Sequence, residues 1–157
     1  MDLMNENIQI KQLGKEDIQV ARQLFILLQK IFEIENITEL TESYLQKLLA
    51  NPAFIVFAAY YKNEIAGGLT AYLLPMTHTE CSEVYIYDIA VKSGIQRKGV
   101  GKMLLSAIKE YCRQNRITKI FVQANEEDKH ALDFYRGTNA NEEKVIHFTY
   151  EQPVLKN

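Results

Sequence analysis

The sequence predicts an α/β (α+β) domain in which a mixed sheet is covered by helices. The prediction rests first on strand and helix patterns that follow each other in the order β-α-α-β-β-β-α-β-α-β. It rests also on a length of 157 residues, 47% of them hydrophobic, which is enough for one domain with its own core. No repeat, low-complexity run or domain linker divides the chain, so we expect residues 1–157 to form a single domain.

The first half of the chain is expected to contribute three strands and two helices. Thr41 is a suitable N-cap for the second helix, and Asn51-Pro52 ends that helix. Lys62-Asn63-Glu64 separates two apolar runs, as expected for a hairpin. The predicted elements are a strand over 8–13, a helix ending near residue 32, an acidic linker over 33–41, a helix over 42–50, and strands over 54–61 and 65–74.

The second half is expected to contribute three strands and two helices. Residues 83–91 are rich in β-branched and aromatic side chains and contain no Pro or Gly, which is typical of a buried strand. Apolar residues recur at helical spacing from Val100 onward, so a helix begins at the glycines there. The remaining predicted elements are a strand over 119–124, a short helix over 128–135 and a closing strand over 145–150.

The loop between the strand over 83–91 and the following helix has the composition of a pyrophosphate site. Its sequence is Gln96-Arg97-Lys98-Gly99-Val100-Gly101-Lys102. A helix N-terminus presents unpaired backbone N–H groups and a partial positive charge, and glycines let a ligand approach the backbone closely. Arg97, Lys98 and Lys102 add full positive charges. We therefore predict that residues 96–102 bind a pyrophosphate.

The glycine spacing distinguishes among pyrophosphate-binding motifs. A mononucleotide P-loop requires Lys after its second glycine, but Val100 follows Gly99. A dinucleotide fingerprint requires a third glycine three residues after Gly101, and none is present. Gln96-x-x-Gly99-x-Gly101 resembles the Gln/Arg-x-x-Gly-x-Gly/Ala signature with which the GNAT superfamily of N-acetyltransferases holds acetyl-CoA. On the motif alone, a strand-to-helix turn that binds nothing is the alternative.

Further motifs resemble the aminoglycoside 3-N-acetyltransferase branch of this superfamily. They are Ala71-Tyr72-Leu73-Leu74-Pro75, Tyr85-Ile86-Tyr87-Asp88-Ile89-Ala90-Val91, Val122-Gln123-Ala124 and Ala131-Leu132-x-x-Tyr135. The resemblance covers residues 54–150. It implies the GNAT fold, with a mixed, mostly antiparallel sheet of six to seven strands flanked by four helices. It also implies acetyl-CoA as co-substrate and no metal.

Asp88 is the residue whose position calls most strongly for a functional account. It places a carboxylate near the centre of an apolar strand, and a buried carboxylate must be paired or have a raised pKa. We predict that Asp88 is the catalytic base or binds the substrate amine, with a structural hydrogen bond as the alternative. Strict alternation would direct Tyr85 and Tyr87 away from Asp88 unless a bulge intervenes.

The resemblance assigns further site residues. Tyr135 matches the tyrosine that the family places near the coenzyme sulfur, and we predict that it is the general acid, with a core position as the alternative. Asn125 matches a coenzyme contact, and a helix cap is an equal alternative. The family's Tyr-x-x-x-Gly glycine is shifted here, and Asn139 can adopt the left-handed conformation instead. The residues whose backbone is expected to bind the pantetheine arm are Ile89, Ala90 and Val91.

Acidic residues are predicted to bind a cationic acceptor. Together with one tyrosine, the residues assigned to substrate binding are Glu83, Tyr87, Glu126, Glu127 and Asp128. The linker between the first two helices, which borders the acceptor site in GNAT folds, adds Glu33, Glu35, Glu39 and Glu42. Solvated surface charge is the alternative for each of these carboxylates.

Composition argues against several other classes of function. A formal charge of −2 gives no case for a nucleic-acid partner. Cys81 and Cys112 stand far apart and the histidines are scattered, so we expect neither a metal site nor a disulfide framework, as suits a reducing cytoplasm. No run approaches a membrane span.

The apolar run Val145-Ile146-His147-Phe148, with the resemblance, suggests that a final strand pairs two chains in a homodimer.

Together these features predict an acetyl-CoA-dependent N-acetyltransferase. The expected acceptor is a primary amine of a cationic small molecule, with an aminoglycoside, and hence antibiotic resistance, as the first choice. Two alternatives stay open: an acetyltransferase for a polyamine, another small amine or a peptide amine, and a non-enzymatic acyl-CoA-binding module. Asp88 and Tyr135 favour an enzyme over the module.

Overall fold

The computed structural model describes residues 7–153, which form two compact units, one ending at Gln123 and one beginning at Ala124. The second unit contains a single helix, α4 (Lys129–Arg136), within the described residues. A one-turn 3-10 helix, Ser93–Ile95, belongs to the first unit. The other elements of the first unit are β1 (Ile8–Gln12), α1 (Ile18–Ile31), α2 (Glu42–Ala50), β2 (Phe54–Tyr61), β3 (Glu64–Pro75), β4 (Ser82–Val91), α3 (Val100–Gln114) and β5 (Ile120–Val122).

The five strands form one mixed sheet in the order β1-β2-β3-β4-β5. The first four strands are antiparallel, and β5 runs parallel to β4. Buried side chains of α3, such as Leu104 and Ile108, pack on one face of the sheet. Buried side chains of α1 and α2, such as Leu24 and Leu45, pack on the other. Each face of the sheet is therefore covered by helix, as the alternating pattern predicts.

Local signals in the sequence are confirmed at several helix ends. The Thr41 hydroxyl accepts a hydrogen bond from the Tyr44 N–H and caps α2. The Asp128 carboxylate accepts one from the Ala131 N–H at 2.9 Å and caps α4. Asn139 has a φ of +60°, the left-handed conformation expected of it.

The predicted closing strand over 145–150 is wrong, and with it the expected count of six to seven strands. Residues 140–153 hold no helix or strand. The large hydrophobic side chains there are 68–85% exposed: Val145, Ile146, Phe148 and Tyr150. A strand requires a hydrogen-bonded neighbour, and a pattern of apolar residues does not by itself supply one.

Two consecutive glycines set the spacing around β3. A Cβ at Gly67 would lie 2.3 Å from the Ala90 carbonyl oxygen on β4. A Cβ at Gly68 would lie 2.6 Å from Leu24 Cδ1 on α1. Larger residues here would force β3 away from β4 or α1.

Of the helices in residues 7–153, none is both long and apolar enough to span a bilayer.

Candidate active site

A β-bulge in β4 decides which side chains share a face of the sheet. Thr70 on β3 lies opposite Asp88, and Ala71 lies opposite Ile86, so Tyr87 is an extra residue without a partner on β3. The bulge interrupts the alternation of side chains, and Tyr87 and Asp88 both line the same cavity. The structure thus contains the bulge that a shared site for these two residues requires.

The cavity has a volume of about 300 Å³ and is walled by α1, α2, β2, β3, β4 and the linker over 32–41. Among the described residues that line it, Asp88 is the only charged one. Neighbouring aromatic rings on its walls contact each other: the Phe54 and Tyr72 rings are tilted, with centroids 5.3 Å apart, and the Tyr72 and Tyr87 rings meet edge to face at 5.7 Å. The six aromatic residues of the lining are Phe25, Phe32, Tyr44, Phe54, Tyr72 and Tyr87.

The Asp88 carboxylate is held at one oxygen and free at the other. The buried Thr70 hydroxyl donates a hydrogen bond to Oδ2 at 2.7 Å. Oδ1 accepts no hydrogen bond from the residues described. Burial raises the pKa of Asp88, and the hydrogen bond from Thr70 opposes that rise. A carboxylate in this state is suited to accept a proton or to bind an ammonium group.

Two side chains of α1 hold the linker that forms one wall of the cavity. The Gln29 amide both donates to the Thr38 carbonyl, at 2.9 Å, and accepts from the Thr38 N–H, at 2.7 Å. Arg22 donates to the Leu40 carbonyl at 2.7 Å and pairs with Glu39. The linker wall is therefore anchored to α1 at two points.

The edge of β4 that faces β5 is free beyond the bulge. β5 pairs only with Val84, Tyr85 and Ile86, whereas β4 continues to Val91. The two parallel strands therefore part at Tyr87, and the backbone of residues 89–91 has no strand partner on that side within the described chain. An extended chain that carries amide groups can bind to such an edge.

The N-terminus of α3 presents free backbone donors beside that edge. Gly99, the N-cap, has a φ of +89° and makes no side-chain cap hydrogen bond. The first backbone bond of the helix runs from the Met103 N–H to the Gly99 carbonyl, so the N–H groups of Val100, Gly101 and Lys102 have no partner among the described residues. No atom lies within 4 Å of a Cβ built at Gly99. These donors suit a phosphate oxygen.

Two polar side chains of the same loop, Gln96 and Lys98, contact other parts of the protein. Gln96 Nε2 donates to the Val91 carbonyl at 3.2 Å and ties the loop to the end of β4. Lys98 Nζ lies 4.7 Å from the centre of the Tyr61 ring. Arg97 adopts a φ of +61° and is exposed, as is Lys102. The predicted phosphate ligands that remain free are therefore the backbone N–H groups at the start of α3 and the side chains of Arg97 and Lys102.

The predicted acidic residues do not come together at the cavity. Glu83 pairs with Lys119 at 3.3 Å. None of the other predicted glutamates in this region belongs to the cavity lining: Glu33, Glu35 and Glu39 of the linker, and Glu42, which begins α2. In the second unit, Glu126 and Glu127 are exposed and Asp128 is the cap of α4. No three His, Cys, Asp or Glu side chains in residues 7–153 group as metal ligands.

Tyr135 and Asn125 both belong to the second unit. Tyr135 lies on α4 and is half-buried, and burial, reinforced by the Asp128 carboxylate, raises its pKa to about 12. Its hydroxyl therefore keeps its proton at neutral pH. Asn125 is exposed, and its carbonyl accepts the Asp128 N–H. The cap of α4 is Asp128, so the alternative of Asn125 as a helix cap is wrong.

Sequence reasoning missed most of the cavity lining, including Gln29, Tyr44, Thr70 and Tyr72. Thr70 carried a usable signal, because it is a polar residue inside an apolar strand, as Asp88 is. The others look like ordinary helix or strand residues, and only the tertiary packing gives them their place.

Known proteins match this chain closely. Residues 21–138 match the family described as Acetyltransferase (GNAT) family. An aminoglycoside acetyltransferase from an uncultured soil metagenomic sample, solved with trehalose and with sisomicin, is 38% identical at a TM-score of 0.92. The alignment covers 96% of this chain and 99% of that one. A second soil metagenomic aminoglycoside acetyltransferase is 32% identical at a TM-score of 0.87, covering 93% and 99%.

We expect Gln29→Ala to loosen the linker wall. Two hydrogen bonds to Thr38 would be lost, so amide hydrogen exchange over residues 32–41 should quicken by about tenfold. Gln46→Ala is the matched control, because Gln46 is exposed and its side chain makes one hydrogen bond within the described residues, to Glu42 at 3.4 Å. Equal exchange in the two variants would contradict the anchoring role of Gln29.

Proposed function

Because the chain belongs to the GNAT acetyltransferase family, we propose that it transfers the acetyl group of acetyl-CoA to a primary amine of a cationic small molecule, an aminoglycoside in the first place. Family membership makes it an N-acetyltransferase, and members of the family use acetyl-CoA. The observation that carries the proposal is the free oxygen of Asp88 at an aromatic cavity. Two relatives described as aminoglycoside acetyltransferases support the choice of acceptor.

The residues around the free edge of β4 suit acetyl-CoA, which supplies the activated acetyl thioester. We assign the pyrophosphate to the open N–H groups at the start of α3, with Arg97 and Lys102 adding charge. The backbone of Ile89, Ala90 and Val91 is the proposed partner of the amide-bearing arm. Asn125 remains a proposed coenzyme contact.

Asp88 and Tyr135 have complementary proposed roles. A protonated amine does not attack a thioester, so Asp88 first binds the ammonium group and then accepts its proton. The raised pKa of Asp88 brings it closer to the range in which proton transfer is effective. Tyr135, protonated at neutral pH, donates a proton to the leaving sulfur. The family match covers both residues, which supports treating residues 1–157 as one acetyltransferase domain.

The test is acetyl-CoA-dependent thiol release over a panel of aminoglycosides, polyamines, amino-acid amines and a basic peptide. We expect turnover on an aminoglycoside, and a fall of about 10²- to 10⁴-fold in Asp88→Asn. Glu110→Gln, an equivalent exchange at an exposed position of α3, should keep full activity. Turnover on other amines alone would reject the aminoglycoside, and coenzyme binding without any turnover would favour the binding module.

We expect Thr70→Val to move the acidic limb of the pH–rate profile to higher pH. The hydrogen bond from Thr70 lowers the pKa of Asp88, so its loss raises that pKa further. The base works when deprotonated, so kcat/KM falls as pH drops through this pKa, and the fall would begin at a higher pH in the variant. The exposed Thr118→Val is the control. An unshifted limb in Thr70→Val would argue against Asp88 as the base.

We also propose that the segment over 145–150 pairs with a second copy of the chain. It is apolar and exposed, and it has no strand partner within the described residues. Light scattering should then give twice the chain mass for the full chain, and the mass of a single chain for Ile146→Lys combined with Phe148→Lys. A light-scattering mass of one chain for the unmodified protein would contradict the proposed pairing.

A further inference from the structure

The acceptor cavity has an unusual balance of charge and aromatic surface. Its lining contains one carboxylate, no basic side chain and six aromatic rings. We define its tyrosine wall as Tyr44, Tyr72 and Tyr87. Two of these lie at the surface, with Tyr44 53% and Tyr87 63% exposed. Exposed aromatic surface next to a cavity marks a place where a ligand can cover it.

The single carboxylate limits how many positive charges the cavity can neutralise. Asp88 has one oxygen bound to Thr70 and one oxygen free, which suits one ammonium group. Glu39 is already paired with Arg22 and lies outside the lining. A second ammonium drawn into the cavity would therefore lose water without gaining a carboxylate.

The tyrosine wall offers flat surface and hydroxyl groups together. Tyr72 and Tyr87 meet edge to face at an interplanar angle of 78°. Burial raises the pKa of the Tyr72 phenol, and the Asp88 carboxylate, which lines the same cavity as Tyr44 and Tyr87, adds to that rise. The hydroxyls and the carboxylate therefore lie in one neighbourhood. A saturated ring that bears hydroxyls and one amine would meet apolar, polar and charged contacts there at once.

Building on the proposed function, we propose that the cavity takes up a single saturated ring of the acceptor, which bears the reacting amine, between Asp88 and the tyrosine wall. A volume of about 300 Å³ is at the small end for ligand pockets and suits one ring better than several. The remaining rings and charges of a larger acceptor stay outside the cavity. A linear polyamine has no flat face for the wall and places several charges near one carboxylate.

The first test is binding without acetyl-CoA, followed by tyrosine fluorescence because the chain contains no Trp. Cyclohexylamine and n-hexylamine carry the same charge and carbon count, and spermidine is the linear polycation. We expect cyclohexylamine to bind more tightly than either linear amine. Tyr87→Leu should weaken cyclohexylamine by about three- to tenfold and leave n-hexylamine within about twofold. Tyr87→Phe, which keeps the ring, should restore the preference.

The control is Tyr111→Leu, because Tyr111 lies on α3 and packs on the face of the sheet opposite the cavity. Equal binding of cyclic and linear amines, or an equal loss of both in Tyr87→Leu, would overturn the proposal. Preference for the ring without acetyl transfer to any acceptor would uphold this proposal and reject the proposed function. Transfer to aminoglycosides without preference for the ring would uphold the proposed function and reject this proposal.

Discussion

The site depends on the one extra residue in β4. Without the bulge at Tyr87, alternation would turn Asp88 toward the α3 face, where Ile86 and Ile89 already pack in the core. A carboxylate buried there would have no partner and would cost several kcal/mol. With the bulge, Asp88 lies opposite Thr70 and lines the cavity on the α1 side. The pairing of β5 with β4 also ends just before Tyr87. The cavity and the free edge of β4 therefore both begin at the bulge.

In the loop before α3, side chains stabilise the loop and backbone N–H groups stay available for a ligand. Gln96 and Lys98 are engaged with Val91 and Tyr61, and so they shape the loop rather than extend from it. The left-handed Gly99 then turns the chain so that helix N–H groups stay open. This arrangement explains why the motif tolerates variable residues between its fixed ones, since the ligand-binding groups proposed here are mostly peptide N–H groups, which every residue other than proline has.

The sequence was a good guide wherever the deciding interactions are local. The bounds of α2 and its Thr41 cap, the hairpin and the left-handed Asn139 all follow from near neighbours. Asp88 was found because a carboxylate in an apolar strand is conspicuous. The cavity walls were not found, because only tertiary packing brings Gln29 of α1 and Tyr72 of β3 to the same cavity. The strand over 145–150 failed for a related reason, since its pattern lacks a partner in the described chain.

The linker over 32–41 is held mainly through its backbone: Gln29 and Arg22 donate hydrogen bonds to its carbonyl groups, and the Thr38 N–H donates one to Gln29. Glu39 adds a side-chain contact by pairing with Arg22. The linker's wall residues Phe32, Ile34 and Leu40 can change identity while the attachment persists. Point changes in this one surface loop can therefore alter the proposed acceptor cavity and leave the sheet and the proposed coenzyme site untouched. A change of acceptor would then need few mutational steps and little loss of stability.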